Sequence, residues 1–290
     1  MPERPDLEYV VPILARELAG AAVAAARADS PVVLRVLLPE RLDALLPGAE
    51  IRRVTRRAHA VVFELAGARA LDLVVAPMLA GRFSITTPGE TRIPTDLAFS
   101  LALKDGRELR VRDEVEMSKV YVLARGEYDK IPGLDRVGLD VLDPRVFTQE
   151  AFRAAARGRR GPVKDFLMDK AALDSLGNAY ADEVLFEAQI HPKATLKGLS
   201  EEELDRLHAA IARVLGDATR TIARRAPALD EKVRDFLKVR GRPGQPCPRC
   251  GDKLRRASLH GYDAIYCPTC QPEEGKGAAA DLRRAKRTPG

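Results

Sequence analysis

The sequence of 290 residues has no apolar run approaching the roughly 18 residues that a membrane-spanning helix needs. At its start, acids precede the first apolar stretch where a secretory signal would have a basic region, so we expect no secretory signal. Cysteine is scarce: all four cysteines fall within 24 residues, which leaves none elsewhere for disulfides. We therefore expect an intracellular, cytoplasmic protein that does not insert into membranes.

Positive charge is concentrated near the C-terminus. The formal net charge is +6, yet the segment from Lys232 to Gly290 alone contains 14 basic and 6 acidic residues. The remaining residues are therefore slightly acidic. A basic region of this kind favours a polyanionic partner, with nucleic acid the usual candidate, although a solvated charged surface is the alternative.

The first half of the chain predicts one helix followed by β structure. Apolar residues recur at helical spacing from Leu7 to Arg27, so a helix is expected there. Short segments rich in Val, Ile, Leu and Phe follow, broken by Pro or Gly, and Asp105-Gly106 supplies a hairpin turn. The predicted strand segments are Pro31–Leu38, Ile51–Ala66, Ala70–Ala76, Arg82–Thr87, Asp96–Leu103, Glu108–Arg112 and Lys119–Ala124.

The second half has the pattern of a helical domain. A linker rich in Gly and Pro precedes it, and Ser200 with Glu203 forms a capping-box pattern at the start of a long helix. The other predicted helices are Gln149–Arg157, Val163–Lys170, Ala181–Gln189 and Asp230–Lys238. The last residues are basic and rich in Ala and Gly, which predicts a disordered tail.

The four cysteines form two CxxC pairs, Cys247 with Cys250 and Cys267 with Cys270. Four thiolates at this spacing are typical of a tetrahedral Zn²⁺ site. Four sulfur ligands leave no open coordination position for water, so one structural zinc is expected. The site would hold the hairpin from Lys253 to Tyr266.

The N-terminus carries a candidate nucleophile. When Met1 is removed, Pro2 becomes the first residue, and its secondary amine lies beside the carboxylate of Glu3. An α-amino group has a pKa of about 7.7–8.0, so a useful neutral fraction exists near pH 7. The neighbouring acid could then transfer protons. An unprocessed or buried terminus is the alternative interpretation.

Taken together, these features resemble the formamidopyrimidine-DNA glycosylase and endonuclease VIII family. Besides Met1-Pro2-Glu3 and the cysteines, the matching motifs are Arg56-Arg57-Ala58, Gly81-Arg82-Phe83, Leu167-Met168-Asp169, the segment from Leu176 to Phe186, and Ile190-His191-Pro192. The resemblance implies an α+β protein with a β-sandwich-like domain, a helical helix-two-turn-helix domain and a zinc-finger hairpin. The implied boundaries are residues 1–125 for the catalytic β-rich domain, 126–145 for a linker, 146–240 for the DNA-binding domain, 241–272 for the zinc finger and 273–290 for the tail.

The resemblance also implies a reaction and its residues. Family members attack C1′ of a damaged nucleotide with the proline nitrogen, expel the base and eliminate both phosphates. Here that assigns Pro2 as nucleophile and Glu3 as the proton-transfer residue. Asn178 at a helix start and Lys164 would contact phosphate, although Asn178 could simply cap its helix. Arg240 is a further predicted DNA contact.

Two departures from the family pattern concern the DNA contacts. His59 stands where the family has a catalytic-site lysine, and Tyr262 replaces the arginine that grips phosphate. We predict His59 as a candidate catalytic residue and Tyr262 as a candidate DNA contact, with an outward strand histidine without a role as the alternative for His59. The resemblance also implies side chains that fill the void left when a base is flipped out of the duplex. In this sequence the corresponding residues are Leu79, Val115 and Met117.

We therefore predict a DNA repair glycosylase with abasic-site lyase activity, acting as a monomer in the cytoplasm near the nucleoid, with damaged or abasic DNA as partner. A non-standard lesion, single-stranded DNA or a crosslink is expected as substrate. The alternative is a binder of abasic or distorted DNA with little or no catalysis. A zinc-ribbon transcription or translation factor would leave the N-terminal motif unexplained.

Overall fold

The computed structural model describes residues 3–174, 176–259 and 261–273. The chain divides into two compact units. Unit 1 contains Met1–Val137 and Ala218–Val233, and unit 2 contains Gly138–Asp217 and Arg234–Gly290. Pro2 and residues 274–290 of the predicted tail lie outside the described residues. Within the described ranges, no helix has the length and apolar character required to cross a membrane.

Two β-sheets form the centre of unit 1. A four-stranded sheet has the order β1-β7-β8-β6, and a five-stranded sheet has the order β2-β9-β5-β4-β3. Neighbouring strands are antiparallel except for the parallel pair β2 and β9. The strands are β1 (Val23–Ala28), β2 (Leu34–Val36), β3 (Glu50–Arg57), β4 (Ala60–Ala66), β5 (Ala70–Ala76), β6 (Arg82–Ile85), β7 (Leu97–Leu103), β8 (Glu108–Arg112) and β9 (Lys119–Ala124).

The two sheets and helix α1 (Arg4–Leu18) share one apolar core. The helix contributes Leu7, Leu14 and Leu18, which recur at helical spacing and are fully buried. Phe63 and Phe83 come from different sheets, and their ring centroids lie 6.5 Å apart. The expected β-sandwich-like domain is thus confirmed. A short helix, α2 (Leu42–Leu45), lies between β2 and β3.

Two predictions for unit 1 were wrong in detail. The predicted helix to Arg27 ends at Leu18, since Gly20 takes a positive φ of 81° and Val23–Ala28 pairs with β7. Alanines with high helix propensity are here held as a strand by their ladder partners. The predicted strand segment Ile51–Ala66 is two strands joined by a turn at Ala58 and His59.

Unit 2 contains four helices in the part of the chain that is described. The Ser200 capping box is confirmed: Ser200 N donates to Glu203 Oε2 at 3.0 Å, and Glu203 N donates to Ser200 Oγ at 3.2 Å. The helices are α3 (Gln149–Ala156), α4 (Val163–Met168), α5 (Asn178–Ala188) and α6 (Glu201–Arg225), whose last turns, from Ala218, belong to unit 1.

The predicted helix Asp230–Lys238 is wrong, because that segment consists of turns, a bend and irregular backbone. At its end, the N–H groups of Lys238, Val239 and Arg240 each donate to the carboxylate of Glu183 at 2.8 Å. Glu183 is buried on α5, and burial raises its pKa while the three backbone donors oppose that shift. The side chain therefore organises this segment without a helix.

The zinc-finger hairpin closes unit 2. Strands β10 (Arg255–Leu259) and β11 (Tyr262–Tyr266) pair in antiparallel register. Leu254 and Ile265, at the end of the hairpin next to the cysteines, pack into a small core with Phe186 of α5 and Val239. Gln271 is fully buried and joins the hairpin to the helices, because its Nε2 donates to Ile190 O at 2.8 Å and its Oε1 accepts from Cys267 N at 3.0 Å.

Candidate functional site

The start of α1 fixes the predicted proton-transfer residue. Glu3 is the N-cap of the helix, and its backbone N–H donates to Asp6 Oδ2 at 2.7 Å while its own side chain accepts from the backbone of Asp6. Both carboxylates are largely buried, with Glu3 5% exposed. A capping box fixes the orientation of both side chains at the start of the helix. The residue that follows Pro2 is therefore an oriented carboxylate.

An ion-pair network connects this end of α1 to the β3–β4 turn. Glu8 Oε1 lies 2.9 Å from Arg4 Nε and 3.4 Å from Arg56 Nε, and Arg56 also donates to Ala58 O at 2.7 Å. These three side chains were not predicted as site residues. The i,i+4 spacing of Arg4 and Glu8 was the available sequence signal. The contact between Glu8 and Arg56 joins residues that are far apart in sequence, so it became visible only in the folded structure.

His59 lies in the β3–β4 turn and is only 6% exposed, so the alternative of an outward strand histidine is wrong. A Cβ built on Gly133 would lie 3.9 Å from its Cε1 atom. The segment 126–137, which the sequence assigned to a linker, thus belongs to unit 1 and covers the turn. Arg57 fastens it by donating to Leu134 O at 3.0 Å.

Two loops of unit 1 expose apolar side chains. Leu79 on the β5–β6 loop is 58% exposed, and Val115 and Met117 on the β8–β9 loop are each 45% exposed. Two neighbouring residues, Met78 and Glu116, adopt positive φ angles of 44° and 53°. Such backbone is uncommon for residues with a Cβ and is retained where the surroundings enforce it.

Hydrogen bonds hold both loops in place. Asp113 accepts from Val115 N at 3.2 Å and from Ser118 N at 2.6 Å, and Ser118 Oγ donates to Pro77 O at 3.2 Å. Gly81 fits closely between them, since an added Cβ would lie 2.2 Å from Pro77 O and 2.4 Å from Ser118 Oγ. The exposed apolar side chains therefore project from a fixed platform.

In unit 2, three predicted DNA contacts converge on one acid. Asn178 Nδ2 donates to Asp263 Oδ1 at 3.1 Å, and Arg240 donates to the same oxygen at 3.0 Å. Lys164 Nζ donates to the backbone oxygen of Asp263 at 2.6 Å and to Asp182 Oδ1 at 2.6 Å. The acid Asp263, which sequence reasoning missed, lies on β11 beside Tyr262.

Lys164 is therefore an interior residue and not a surface donor. It is 1% exposed, and Asp182 is equally enclosed. Burial lowers the pKa of Lys164 and raises that of Asp182, while their mutual contact opposes both shifts. A second cation, Arg240, donates to Asp182 Oδ2 at 2.8 Å. Burial favours the neutral forms, and the close pairing favours the charged ones.

Asp263 and Tyr262 lie nearer the surface. The side chain of Asp263 is 35% exposed. Burial acts to raise the pKa of Asp263, but the donors Arg240 and Asn178 outweigh it and hold that pKa below the usual value. Tyr262 is 49% exposed at the start of β11. It offers an aromatic face and a phenolic hydroxyl where the family pattern has an arginine.

The four cysteines meet at one point. All four Sγ atoms lie within 4.8 Å of one another, with 3.8 Å between Cys247 and Cys270 and 3.4 Å between Cys250 and Cys267. Zn–S bonds of roughly 2.3 Å in a tetrahedron require sulfurs about 3.8 Å apart. Backbone N–H groups also point at the sulfurs, from Arg249 to Cys247 at 3.4 Å and from Cys270 to Cys267 at 3.5 Å.

This donor set fits a structural zinc ion. Burial, together with the neighbouring thiols, raises the pKa of the Cys267 thiol to about 11. Zn²⁺ reverses that preference because it binds thiolates and deprotonates coordinating thiols. Within the described residues, this is the one group of His, Cys, Asp and Glu side chains close enough to hold a metal ion. The predicted zinc site is confirmed.

Comparisons with known proteins agree along the chain. Residues 1–120 match the formamidopyrimidine-DNA glycosylase N-terminal domain, residues 137–226 match the H2TH domain of the same enzyme, and residues 244–272 match a zinc finger found in FPG and IleRS. A formamidopyrimidine-DNA glycosylase from Moorella thermoacetica is 35% identical over 266 residues, which is 88% of this chain and 94% of that protein.

Solved structures show the same fold. The MutM (Fpg) protein from Thermus thermophilus aligns with a TM-score of 0.79 at 30% identity, covering 94% of this chain and 99% of that one. The Lactococcus lactis Fpg, solved as a complex with DNA containing an abasic site, aligns with a TM-score of 0.83 at 24% identity, covering 94% of this chain and all of that one.

Proposed function

This chain is a DNA glycosylase of the formamidopyrimidine-DNA glycosylase family, and from that premise we propose that Pro2 is its nucleophile and Glu3 its proton-transfer residue. The observation that carries the proposal is the buried, capped carboxylate of Glu3, which follows Pro2 directly at the start of α1. Removal of Met1 exposes the secondary amine of Pro2. The acid that follows is then adjacent to the amine in the chain.

The reaction follows from this pair. The neutral nitrogen of Pro2 attacks C1′, the glycosidic bond breaks, and the base leaves with a proton. The attacking nitrogen loses its proton, and its lone pair then forms a C=N bond to C1′ as the C1′–O4′ bond breaks and O4′ takes up a proton. The opened sugar is then an iminium bonded to Pro2. Loss of a C2′ proton expels the 3′-phosphate, and a second elimination expels the 5′-phosphate. Glu3 moves the protons at the base and the sugar, with its carboxylate held by the Asp6 cap.

The exposed loops of unit 1 supply the contacts that open the duplex. Apolar side chains can insert between base steps and unstack them. Leu79, Val115 and Met117 are exposed on a platform that their loops hold rigidly. All three are apolar, and none can hydrogen-bond an unpaired base. We therefore propose that the enzyme prefers lesions at which no side chain has to hydrogen-bond the unpaired base, such as a weakly paired or single-stranded site.

We propose that residues of unit 2, together with His59 of unit 1, contact the DNA phosphates. Asn178, Arg240 and Tyr262 are the proposed contacts of unit 2, while Lys164 supports them from the interior. His59 is proposed to act from within the β3–β4 turn. A monomeric state and a location near the nucleoid are also part of this proposal.

Borohydride trapping tests the nucleophile. The Met1-processed protein is incubated with abasic-site DNA and borohydride, and the iminium is reduced to a stable covalent adduct. We expect the adduct in the wild type, its loss in Pro2→Gly, and its retention in the matched control Pro5→Ala. Pro5 lies in the first turn of α1 but carries no terminal amine. Peptide mass spectrometry should map the adduct to residue 2.

The alternative is a non-catalytic binder of abasic or distorted DNA. The observation in its favour is that Lys164 and Arg240 are already paired with internal acids. Tight binding of abasic DNA without any adduct would support this alternative. An adduct mapped to a lysine would also overturn the assignment of Pro2.

A further inference from the structure

Asp263 holds the position in unit 2 where hydrogen-bond donors converge. Its Oδ1 accepts from Asn178 Nδ2 at 3.1 Å and from Arg240 at 3.0 Å, and its backbone oxygen accepts from Lys164 Nζ at 2.6 Å. Asn178 is the first residue of α5, so this side-chain amide donor extends from the start of that helix. The structure thus already contains an anion at this cluster.

Charge within the cluster is balanced. Lys164 and Arg240 provide two positive charges, and Asp182 and Asp263 provide two negative charges. Asp182 is fully buried and is enclosed by Lys164, Arg240 and the N–H of Ile265. Asp263 is the acid with solvent access, since its side chain is 35% exposed. Of the two acids, it is the one that a ligand can reach.

We infer that the Asp263 carboxylate is an internal substitute for a DNA phosphate, which must be displaced before Asn178 and Arg240 can bind DNA. This inference rests on the proposed DNA-binding function. A carboxylate and a phosphodiester each carry one negative charge and accept from the same amide and guanidinium donors. Binding at this cluster is consequently an exchange of anions.

The hairpin offers the displaced carboxylate a second partner. Arg256 lies on the neighbouring strand β10, and its Nε is 4.0 Å from Asp263 Oδ2. The Arg256 side chain is 63% exposed, so it can follow the acid into solvent. A side-chain rotation of Asp263 toward Arg256 would release Oδ1 from Arg240 without moving the backbone. The exchange therefore needs no refolding of the hairpin.

Removal of the charge at position 263 tests the exchange. The variant Asp263→Asn keeps the size of the side chain but weakens its hold on Arg240. We expect it to bind an abasic-analogue duplex about fivefold more tightly than the wild type, the effect of roughly one hydrogen bond. Arg240 contacts phosphate in both complexes, so the slope of log K against log salt should stay the same while the affinity rises.

The matched control is Glu202→Gln, which removes one exposed acid from α6 in the same unit. Its affinity and salt slope should stay close to the wild-type values. A double-mutant cycle adds a second condition. Arg240→Ala should cost little affinity in the wild-type background, because the phosphate contact that is lost is offset by the Asp263 contact that no longer has to be broken, and it should abolish the gain in the Asp263→Asn background.

The outcomes separate this inference from the proposed function. Binding of the abasic duplex by the wild type reports on DNA recognition, whereas the difference between variants reports on Asp263. An unchanged or weaker affinity in Asp263→Asn would mean that Asp263 is only a structural tie. An equal gain in Glu202→Gln would mean a general charge effect. If neither the wild type nor Asp263→Asn binds any DNA, both proposals fail.

A spectroscopic measurement on the wild type covers the case in which Asp263→Asn folds poorly. The ¹⁵N Nε signal of Arg240 should shift when abasic-analogue DNA is added, because the guanidinium changes its partner from carboxylate to phosphate. The signal of Arg153, whose guanidinium pairs with Asp205 at 2.7 Å, serves as the internal reference. A static Arg240 signal in the saturated complex would contradict the exchange.

Discussion

The two units hold their candidate DNA contacts in opposite ways. In unit 2, the cations Lys164 and Arg240 point toward internal acids. In unit 1, apolar side chains such as Leu79 and Met117 project into solvent from loops fixed by Asp113. Under the proposed function, the apolar loops could insert into DNA without rearrangement, whereas the charged cluster would first have to exchange a partner. Unit 1 thus presents its apolar side chains in fixed positions, whereas the cations of unit 2 are already paired with acids of the same unit.

The largest effect on this difference between the units is expected from removal of the metal site that fixes the hairpin. We expect Cys267→Ser to abolish zinc binding and to release β10 and β11, since structural zinc contributes on the order of 10 kcal/mol in small zinc modules. Asp263 would then leave the cluster together with its strand. Metal analysis should give well below one equivalent, and limited proteolysis should cut within the hairpin.

The control is Ser258→Ala, which alters the same hairpin at a position facing Asp263 across the strands without touching a sulfur. It should retain one equivalent of zinc and resist proteolysis. The fold of unit 1 has its own core and should persist in Cys267→Ser. A folded hairpin with full metal content in Cys267→Ser would contradict the structural role of the zinc site.

A smaller effect is expected at Lys164. The variant Lys164→Met would leave Asp182 with one fewer counter-charge in the interior, and breaking a buried ion pair costs about 3–5 kcal/mol. Urea unfolding should show that loss in the free energy of unfolding. The double variant Lys164→Met/Asp182→Asn should recover part of it, because the uncompensated charge is removed.

An exposed lysine of unit 2 provides the comparison. Lys197→Met should change stability by no more than about 0.5 kcal/mol, as is usual for surface substitutions. If Lys164→Met matched that small value and instead weakened DNA binding, Lys164 would be a surface phosphate contact after all. That result would remove the contrast between the two units.

Local patterns explain what could be predicted from the sequence. The cysteine spacing defined the metal site, the Ser200–Glu203 pair defined the start of α6, and Asp105-Gly106 defined a hairpin turn. Each of these features depends on residues that are close in sequence. Most strands were recognised for the same reason, because alternation and turn residues act over a few positions.

Contacts between distant residues explain what could not be predicted. Asp263 meets Asn178 across 85 positions and Lys164 across 99, so no spacing rule connects them. The burial of His59 depends on residues near Gly133, which lie far beyond the β3–β4 turn. Val23–Ala28 became a strand because β7 offered it hydrogen bonds. In each case the tertiary partner outweighed the local preference.

The smallest expected effect tests the apolar loops. Leu79 is 58% exposed, so Leu79→Ala should leave stability within about 0.5 kcal/mol of the wild type. If its side chain fills the space left by a displaced base, excision from duplex DNA should slow about tenfold, which corresponds to roughly 1.4 kcal/mol in the barrier. Single-turnover rates on a duplex that contains one excisable damaged base provide the measurement.

Ile93→Ala is the matched control, because Ile93 is 55% exposed in unit 1 but lies outside the two fixed loops. It should leave excision unchanged. Cleavage of a single-stranded abasic substrate should also be unaffected in Leu79→Ala, since no base has to be displaced there. Equal slowing on duplex and single-stranded DNA would place the defect in the chemistry at Pro2 and Glu3. The prepared apolar surface would then have no role in opening the duplex.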